Sequence, residues 1–142
     1  MGAVARRAGV SRITVYNRFG SRADLLRAIR PSIQPAAAEP GDPPEAVRRY
    51  LLDACARWAT NPALFRHLPS TGQDAEREGE RRLAERLAAA DALRPGCSLK
   101  EAEDVLAALS SFEVFDRLYK DGRRSPAAVA EILVRLVSGI MA

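Results

Sequence analysis

The stretch A-G-V-S-R-I-T-V-Y-N-R-F-G-S-R-A-D-L-L, residues 8–26, decides the fold of the amino-terminal end. Gly9 suits the end of one helix because glycine adopts a positive φ without a Cβ penalty. Ser11 suits the start of the next helix, since its hydroxyl accepts a hydrogen bond from an unpaired backbone N–H. Only Val10 lies between them, and we expect it to fill the inside of the corner. The spacing predicts a helix-turn-helix, the unit that lays its second helix in a DNA major groove.

The second helix of this pair is predicted to have two kinds of face. Val15 and Phe19 are four residues apart, so they share a face and should pack inward. Arginine pairs with guanine and asparagine with adenine in the major groove. The candidates for contacts to base edges are Arg12, Ile13 and Asn17. The candidates for contacts to the phosphate backbone are Ser11, Thr14, Tyr16, Arg18 and Arg22.

A capping-box pattern, Ser21 followed three residues later by Asp24, begins a third helix. The whole run resembles the DNA-binding end of the TetR family of bacterial transcriptional regulators. The matching pieces are A-G-V-S, then T-V-Y-N-R-F, then G-S-R-A-D-L-L, with Arg22 at a position where the family usually has lysine. The resemblance implies a sequence-specific, DNA-binding transcriptional regulator, in most cases a repressor that responds to a small-molecule ligand and binds a double-stranded DNA operator.

One departure from the family concerns the start of the head. The family's head has three helices, and the first of them would precede Val4, whereas the sequence begins at Met1. We hypothesise that Met1 is an internal methionine taken as the start, or that the protein is truncated, so the helix-turn-helix head is incomplete. The alternative is a ligand-binding or interaction dimer that lacks DNA binding because this helix is missing. The coding sequence upstream of Met1 would separate the two.

Positive charge is concentrated at the same end of the chain. Residues 1–30 contain seven arginines and one aspartate, a net charge of +6, whereas all 142 residues together carry +4. Residues 31–142 therefore carry a net charge of −2. A basic segment joined to a mildly acidic one is typical of a module that binds a polyanion. A solvated, arginine-rich surface is the alternative explanation.

Composition excludes several classes of protein. No apolar run approaches the ~20 residues that a membrane-spanning helix needs. Arg6 and Arg7 fall where a secretory signal would be apolar. Two cysteines, Cys55 and Cys97, are too few for a disulfide framework, which favours reduced thiols in a cytoplasmic protein.

The sequence also predicts that the protein is not an enzyme. It has no Gly-rich phosphate loop after a strand, no signature of a nucleophilic cysteine, and one histidine, so we expect no cofactor and no metal site. Glu76, Glu78 and Glu80 follow one another at two-residue spacing on a charged helix. They do not converge as a catalytic pair, and a solvated helix face explains them.

Capping signals divide the rest of the chain into helices, and no alternation with a period of two predicts a strand. We therefore predict an all-α protein. The predicted helix boundaries are starts at Asp42-Pro-Pro-Glu45, Asn61-Pro62, Asp74, Ser98-Leu-Lys-Glu101 and Ser125-Pro126, and ends at Pro31, Pro95-Gly96, Asp121-Gly122 and about Gly139. The helix that begins at Ser98 is expected to run unbroken to Lys120, and a linker is expected over residues 34–44.

These signals predict two domains. Residues 1–30, called the head below, hold the helix-turn-helix and a connecting helix. Residues 31–142, called the body, form a TetR-like helical domain for ligand binding and dimerisation. The last two helices are apolar on more than one side, so each needs a second surface to cover it. The family forms a four-helix dimer interface here, which implies a homodimer through residues 101–140; a monomeric core is the alternative.

The resemblance also implies that a small-molecule effector binds inside the body. A mostly apolar pocket is typically lined by aromatic side chains together with a few polar groups. The candidate ligand-binding residues are Trp58, Phe65, His67, Phe112, Phe115 and Tyr119. For each of them a place in the ordinary hydrophobic core is the alternative.

Overall fold

The structure, a computed structural model, describes residues 1–29, 41–67 and 74–142, with the side chains of the last range described from residue 77. It divides into two compact units, one holding residues 1–29 and His67, the other holding residues 41–66 and 74–142. The described residues are helices and connecting turns, and they contain no strand, in agreement with the all-α prediction. Pro31 and most of the linker predicted over residues 34–44 lie outside the described residues.

Three short helices form the head. They are α1 (Gly2–Ala8), α2 (Arg12–Phe19) and α3 (Arg22–Ala28). One residue from each helix is buried at the centre, namely Ala5, Val15 and Leu25, and Met1 and Phe19 pack against them. The spacing of Val15 and Phe19 therefore identifies the inward face of α2 correctly. The prediction for Val10 is wrong: 43% of this residue is exposed, so it does not fill the corner.

The body consists of longer helices packed around α4. Its elements are α4 (Pro43–Thr60), α5 (Pro62–Phe65), α6 (Asp74–Ala89), α7 (Leu99–Ser110), α8 (Phe112–Asp116), a π-helical segment (Arg117–Asp121), α9 (Pro126–Val137) and a short 3₁₀ turn (Ser138–Ile140). Helix α4 contacts α5, α6, α7, α8 and α9. The largest fully buried side chains include Leu51, Leu83, Leu106, Phe115 and Leu133. Each contributes roughly 1.5–3 kcal/mol of burial free energy, so this core holds the α4 face in place.

The predicted single helix from Ser98 to Lys120 is wrong, because the chain breaks at Ser111. That residue has an extended backbone, with φ −66° and ψ 149°, and its hydroxyl caps α8 by accepting from the Val114 N–H at 3.4 Å. In an unbroken helix the Ser110 carbonyl would accept from Val114. Here it accepts instead from the indole Nε1 of Trp58, at 3.0 Å. A contact with a distant helix thus takes the place of the local bond.

Helix α6 ends at Ala89, earlier than the predicted stop at Pro95-Gly96. The residues that follow pair with the carboxyl-terminal end of the chain. The Arg94 N–H donates to the Ile140 carbonyl and the Ala142 N–H to the Ala92 carbonyl, both at 2.9 Å. This pairing needs an extended backbone, so it ends the helix before the proline is reached.

Candidate nucleic-acid interface and ligand cavity

The turn between α1 and α2 has the geometry that its glycine predicts. Gly9 has φ 67° and ψ 25°, the left-handed conformation that favours glycine. Its N–H donates to the Arg6 carbonyl at 3.3 Å, and the Val10 N–H donates to the Ala5 carbonyl at 3.0 Å. These bonds satisfy carbonyls at the end of α1 that have no partner within the helix. The chain is thereby turned within two residues.

Helix α2 begins at Ser11, whose hydroxyl accepts a hydrogen bond from the Thr14 N–H at 3.0 Å. The hydroxyls of Ser11 and Thr14 also lie 2.8 Å apart and share a hydrogen bond. Both side chains are exposed. The two hydroxyls therefore combine two tasks, because they fix the start of α2 and remain accessible to a partner.

The faces of α2 differ sharply in exposure. Val15 is 4% exposed, whereas Ile13 is 71% and Tyr16 is 57% exposed. All eight residues predicted to contact DNA are exposed, namely Ser11, Arg12, Ile13, Thr14, Tyr16, Asn17, Arg18 and Arg22. The Arg12 side chain runs beside Gly2, where an added Cβ would lie 3.5 Å from the guanidinium Nε. The exposed side of α2, away from Val15, is therefore mostly polar, with Ile13 as its apolar member.

Helix α3 begins with the capping box that its sequence predicts. The Ser21 hydroxyl accepts from the Asp24 N–H at 3.1 Å and donates to the Asp24 carboxylate at 2.6 Å. Arg27 donates to the other oxygen of Asp24, also at 2.6 Å. The Ser21 hydrogen bond, followed by the contact with Arg27, lowers the pKa of Asp24. This carboxylate is therefore occupied within α3, and Arg22 remains exposed beside it.

Residues 1–29 match the family model for bacterial regulatory proteins of the tetR family. This end of the chain is similar to the amino-terminal, regulatory-protein module of that family. No curated protein matches the chain. The matched residues include the whole described helix-turn-helix, so the exposed face of α2 is the candidate nucleic-acid interface.

In the body, five of the six predicted ligand-binding residues form one aromatic cluster. Trp58 lies 4.7 Å from Phe65 and 5.6 Å from Phe112, measured between ring centroids. Phe112 in turn lies 6.3 Å from Phe115, which stacks on Tyr119 at 5.2 Å. The sixth residue, His67, is exposed and is grouped with the other compact unit.

A cavity of about 130 Å³ lies beside this cluster, between α4, α6 and the break from α7 to α8. We call it the Glu80 cavity. Of the predicted residues, Trp58 and Phe112 line it. The other lining residues are Tyr50, Ala54, Arg57, Arg77, Glu80, Ala107, Ser110 and Ser111. Phe115 is fully buried in the core and forms no part of the wall.

The expectation that Glu80 lies on a solvated face is wrong. Glu80 is 6% exposed, and its Oε1 accepts from the Ser110 hydroxyl at 2.6 Å and from the Tyr50 hydroxyl at 3.4 Å. The sequence carries a signal for this position, since Glu80 precedes the buried Leu83 and Leu87 by three and seven residues. Glu78 pairs instead with Arg82, at 2.9 Å, and the side chain of Glu76 lies outside the described residues.

The described part of the chain contains no cluster of three or more histidine, cysteine or acidic side chains that is placed to hold a metal ion. Among the described helices, none combines the length and the apolarity that crossing a membrane requires.

Proposed function

We propose that this chain binds a double-stranded DNA operator as a homodimer and acts as a cytoplasmic, ligand-responsive repressor rather than as an enzyme. The observation that carries the proposal is the two-faced α2. One side anchors it through the buried Val15, and the other presents guanidinium, amide and hydroxyl groups. Such a helix, held after a tight glycine turn, has the shape and the chemistry of a major-groove reader.

Within this interface, we assign direct base contacts to Arg12, Ile13 and Asn17. A guanidinium pairs with guanine O6 and N7, an amide with adenine N6 and N7, and an apolar side chain with the thymine methyl. The hydroxyls of Ser11, Thr14 and Tyr16 and the cations of Arg18 and Arg22 are assigned to phosphates. Phosphate contacts fix the position of the head on DNA but carry no sequence information directly.

The proposed dimer has support from apolar side chains that the body leaves incompletely covered. Leu136 on α9 is 55% exposed, and Ile132, one turn before it, is half-buried. Other half-buried apolar side chains of residues 101–140 are Val105, Leu109, Val114 and Leu118. A second copy of the chain would cover this surface, and two heads would suit half-sites ~34–36 Å apart.

Ligand response has support from the Glu80 cavity, which lies within the body and combines aromatic and polar groups. A ligand regulates DNA binding only if it binds one arrangement of the two heads better than the other. The cytoplasmic location is supported by the two thiols, Cys55 and Cys97, which are both free. Free thiols are typical of a reducing compartment.

The first experiment selects bound sequences from random DNA with the wild-type chain and with Asn17→Ala. We expect the wild type to select an inverted repeat, and Asn17→Ala to lose the preference at one position of each half-site. Tyr16→Phe, which removes one phosphate contact, should weaken binding to all sequences by roughly 0.5–1.5 kcal/mol without changing the selected motif.

The matched control compares Arg12→Ala with Arg27→Ala at a fixed salt concentration, because each removes one positive charge from the head. Arg27 already pairs with Asp24, so its loss should leave the sequence preference unchanged. If the wild type selects no motif while it remains a dimer, the alternative holds, and the chain is an interaction or ligand-binding dimer without DNA binding.

A further inference from the structure

The break between α7 and α8 occurs in a stretch of sequence that contains neither proline nor glycine. Residues 98–121 include no residue of either type, and residues 107–109, A-A-L, are good helix formers directly before the break. Sharp breaks in helices have few causes, and one of them is a side chain that enters the helical hydrogen-bond ladder. The indole of Trp58 does this, because it bonds the carbonyl of Ser110. The local sequence therefore supports a helix that passes through Ser111, and the break depends on added contacts.

The first of these contacts comes from Trp58 on α4. Its Nε1 donates to the Ser110 carbonyl at 3.0 Å, and Trp58 is 4% exposed. In a continuous helix this carbonyl would point along the helix axis and accept from the Val114 N–H, four residues on. We expect the indole, which reaches the carbonyl from another helix, to lose its bond in that form. Because a buried N–H without a partner is costly, Trp58 favours the broken form.

The second contact comes from Ser111 itself. With its backbone extended, at ψ 149°, its hydroxyl caps α8 by accepting from the Val114 N–H. Serine is among the residues that best stabilise the start of a helix in this way. In a continuous helix Ser111 would lie inside the helix and could no longer act as a cap. Ser111 therefore favours the broken form independently of Trp58.

A continuous helix would gain hydrogen bonds of its own. The N–H groups of Phe112 and Glu113 lie in the first turn of α8, where a helix supplies no partner for them. In a continuous helix they would donate to the carbonyls of Ala108 and Leu109. The two forms thus exchange one set of hydrogen bonds for another. Such an exchange is typical of an element that has two discrete arrangements.

We propose that Trp58 and Ser111 form a latch. While both contacts are made, α7 and α8 remain separate helices, and when the latch opens the same residues form one continuous helix. The residues beyond the break then change direction relative to α7, including the half-buried Val114 and Leu118. The latch goes beyond the proposed function. Its consequence for assembly rests on that function, because Val114 and Leu118 belong to the surface proposed for the dimer.

The first test measures hydrogen exchange of the Trp58 indole by NMR. Trp58 is the only tryptophan of the chain, so its indole N–H gives a single signal. Ser111→Ala removes the cap of α8 and places a good helix former at the break. This change shifts the equilibrium towards the continuous helix, in which the indole N–H has lost its acceptor. We expect the indole N–H to exchange about fivefold faster than in the wild type.

Two further variants serve as controls. Ser125→Ala also removes the cap of a helix, since the Ser125 hydroxyl accepts from the Ala128 N–H at 3.2 Å at the start of α9. It destabilises the fold by a similar amount without favouring a helix through Ser111, so the indole exchange should remain as in the wild type. Ser111→Thr keeps a capping hydroxyl and should also exchange like the wild type.

The second test removes both contacts, in the double variant Trp58→Phe with Ser111→Ala, which keeps an aromatic ring in the core. We expect the Cα chemical shift of residue 111 to move from an extended to a helical value. The amides of Phe112 and Glu113 should exchange more slowly than in the wild type, whereas general destabilisation would make them exchange faster. If this variant does not fold, the comparison of Ser111→Ala with Ser125→Ala decides alone.

The proposal is overturned if Ser111→Ala leaves the indole exchange unchanged, if Ser125→Ala accelerates it as much, or if a folded double variant keeps residue 111 extended. These readouts require neither DNA nor a second copy of the chain, so they stay decisive if the proposed function fails. If the double variant has a continuous helix but dimerises with unchanged affinity, the latch stands, and Val114 and Leu118 do not belong to the dimer surface.

Discussion

Gly9 determines the turn of the head, and its left-handed backbone predicts the cost of replacing it. An added Cβ at Gly9 would meet nothing within 4 Å, so the penalty of Gly9→Ala is conformational and not steric. We expect a loss of about 1–2 kcal/mol, the cost of a left-handed conformation for an L-residue. Amide hydrogen exchange of α1 and α2 should therefore be faster in the variant.

The matched control is Gly139→Ala, where an added Cβ also has open space and φ lies outside the left-handed region. This change should leave the exchange of α1 and α2 as it is in the wild type. Equal exchange rates in the two variants would contradict the role assigned to the conformation of Gly9.

The two thiols are predicted to differ in their reactivity. Burial raises the pKa of Cys55 to about 11, so almost none of it is the reactive thiolate at neutral pH. Cys97 is less buried, although burial and the charge of Glu101 also raise its pKa. In Cys97→Ser, iodoacetamide should therefore modify the folded protein only after unfolding, whereas Cys55→Ser should react while folded. Rapid alkylation of the folded Cys97→Ser protein would contradict the burial of Cys55.

At the scale of the element, the starts of helices could be predicted because their signals are local. Asp42, Asn61, Ser98 and Ser125 each cap the helix that the sequence predicts, through a side-chain oxygen and a backbone N–H three residues on. The early end of α6 and the break at Ser111 could not be predicted. They depend on partners distant in sequence, the carboxyl-terminal residues 140–142 and the indole of Trp58.

An ion pair between Arg66, which follows α5, and Asp116 of α8 gives a prediction about pH. Arg66 donates to both oxygens of Asp116, from Nε at 2.8 Å and from Nη2 at 2.6 Å. The hydrogen bond with Arg66 lowers the pKa of Asp116 below its usual value of 3.8. The pair therefore stabilises the fold at pH above that value, and its contribution is lost as the pH falls through the lower pKa of the folded state.

Asp116→Asn removes this contribution, so its urea midpoint should lie below that of the wild type at pH 7 and approach it at the lowest pH. Asp104→Asn breaks the exposed pair with Lys100 and is the matched control, expected to change the midpoint little. A constant difference between wild type and Asp116→Asn at every pH would contradict the assigned titration.

At the scale of the whole molecule, dimerisation is predicted to depend on the exposed face of α9. Leu136→Lys places a charge in the proposed interface and should convert a dimer into a monomer, as measured by light scattering. Glu131→Lys introduces the same residue at an exposed position of the same helix and should leave the dimer intact. If Leu136→Lys remains a dimer, the dimer interface does not include the exposed face of α9.

The two candidate sites differ in how far the sequence could predict them. The exposed surface of α2 follows from the periodicity of one helix, so the exposure of the six predicted residues that α2 carries could be predicted from spacing alone. The Glu80 cavity is built from α4, α6, α7 and α8, and only tertiary packing brings them together. Trp58 and Phe112 could be predicted from residue type. Glu80 was not predicted, because its charge indicated a solvated position although it lies on the same face of α6 as Leu83.

The central claim, that the exposed face of α2 reads bases, is tested most directly by pairing Asn17→Ala with changes of single base pairs in a selected operator. Affinities are measured at one salt concentration for the wild type and the variant on each sequence. The account predicts a coupling of about 1–3 kcal/mol between Asn17 and one adenine of each half-site, and none elsewhere. An equal loss of affinity on every sequence would contradict it, since Asn17 would then contact no base.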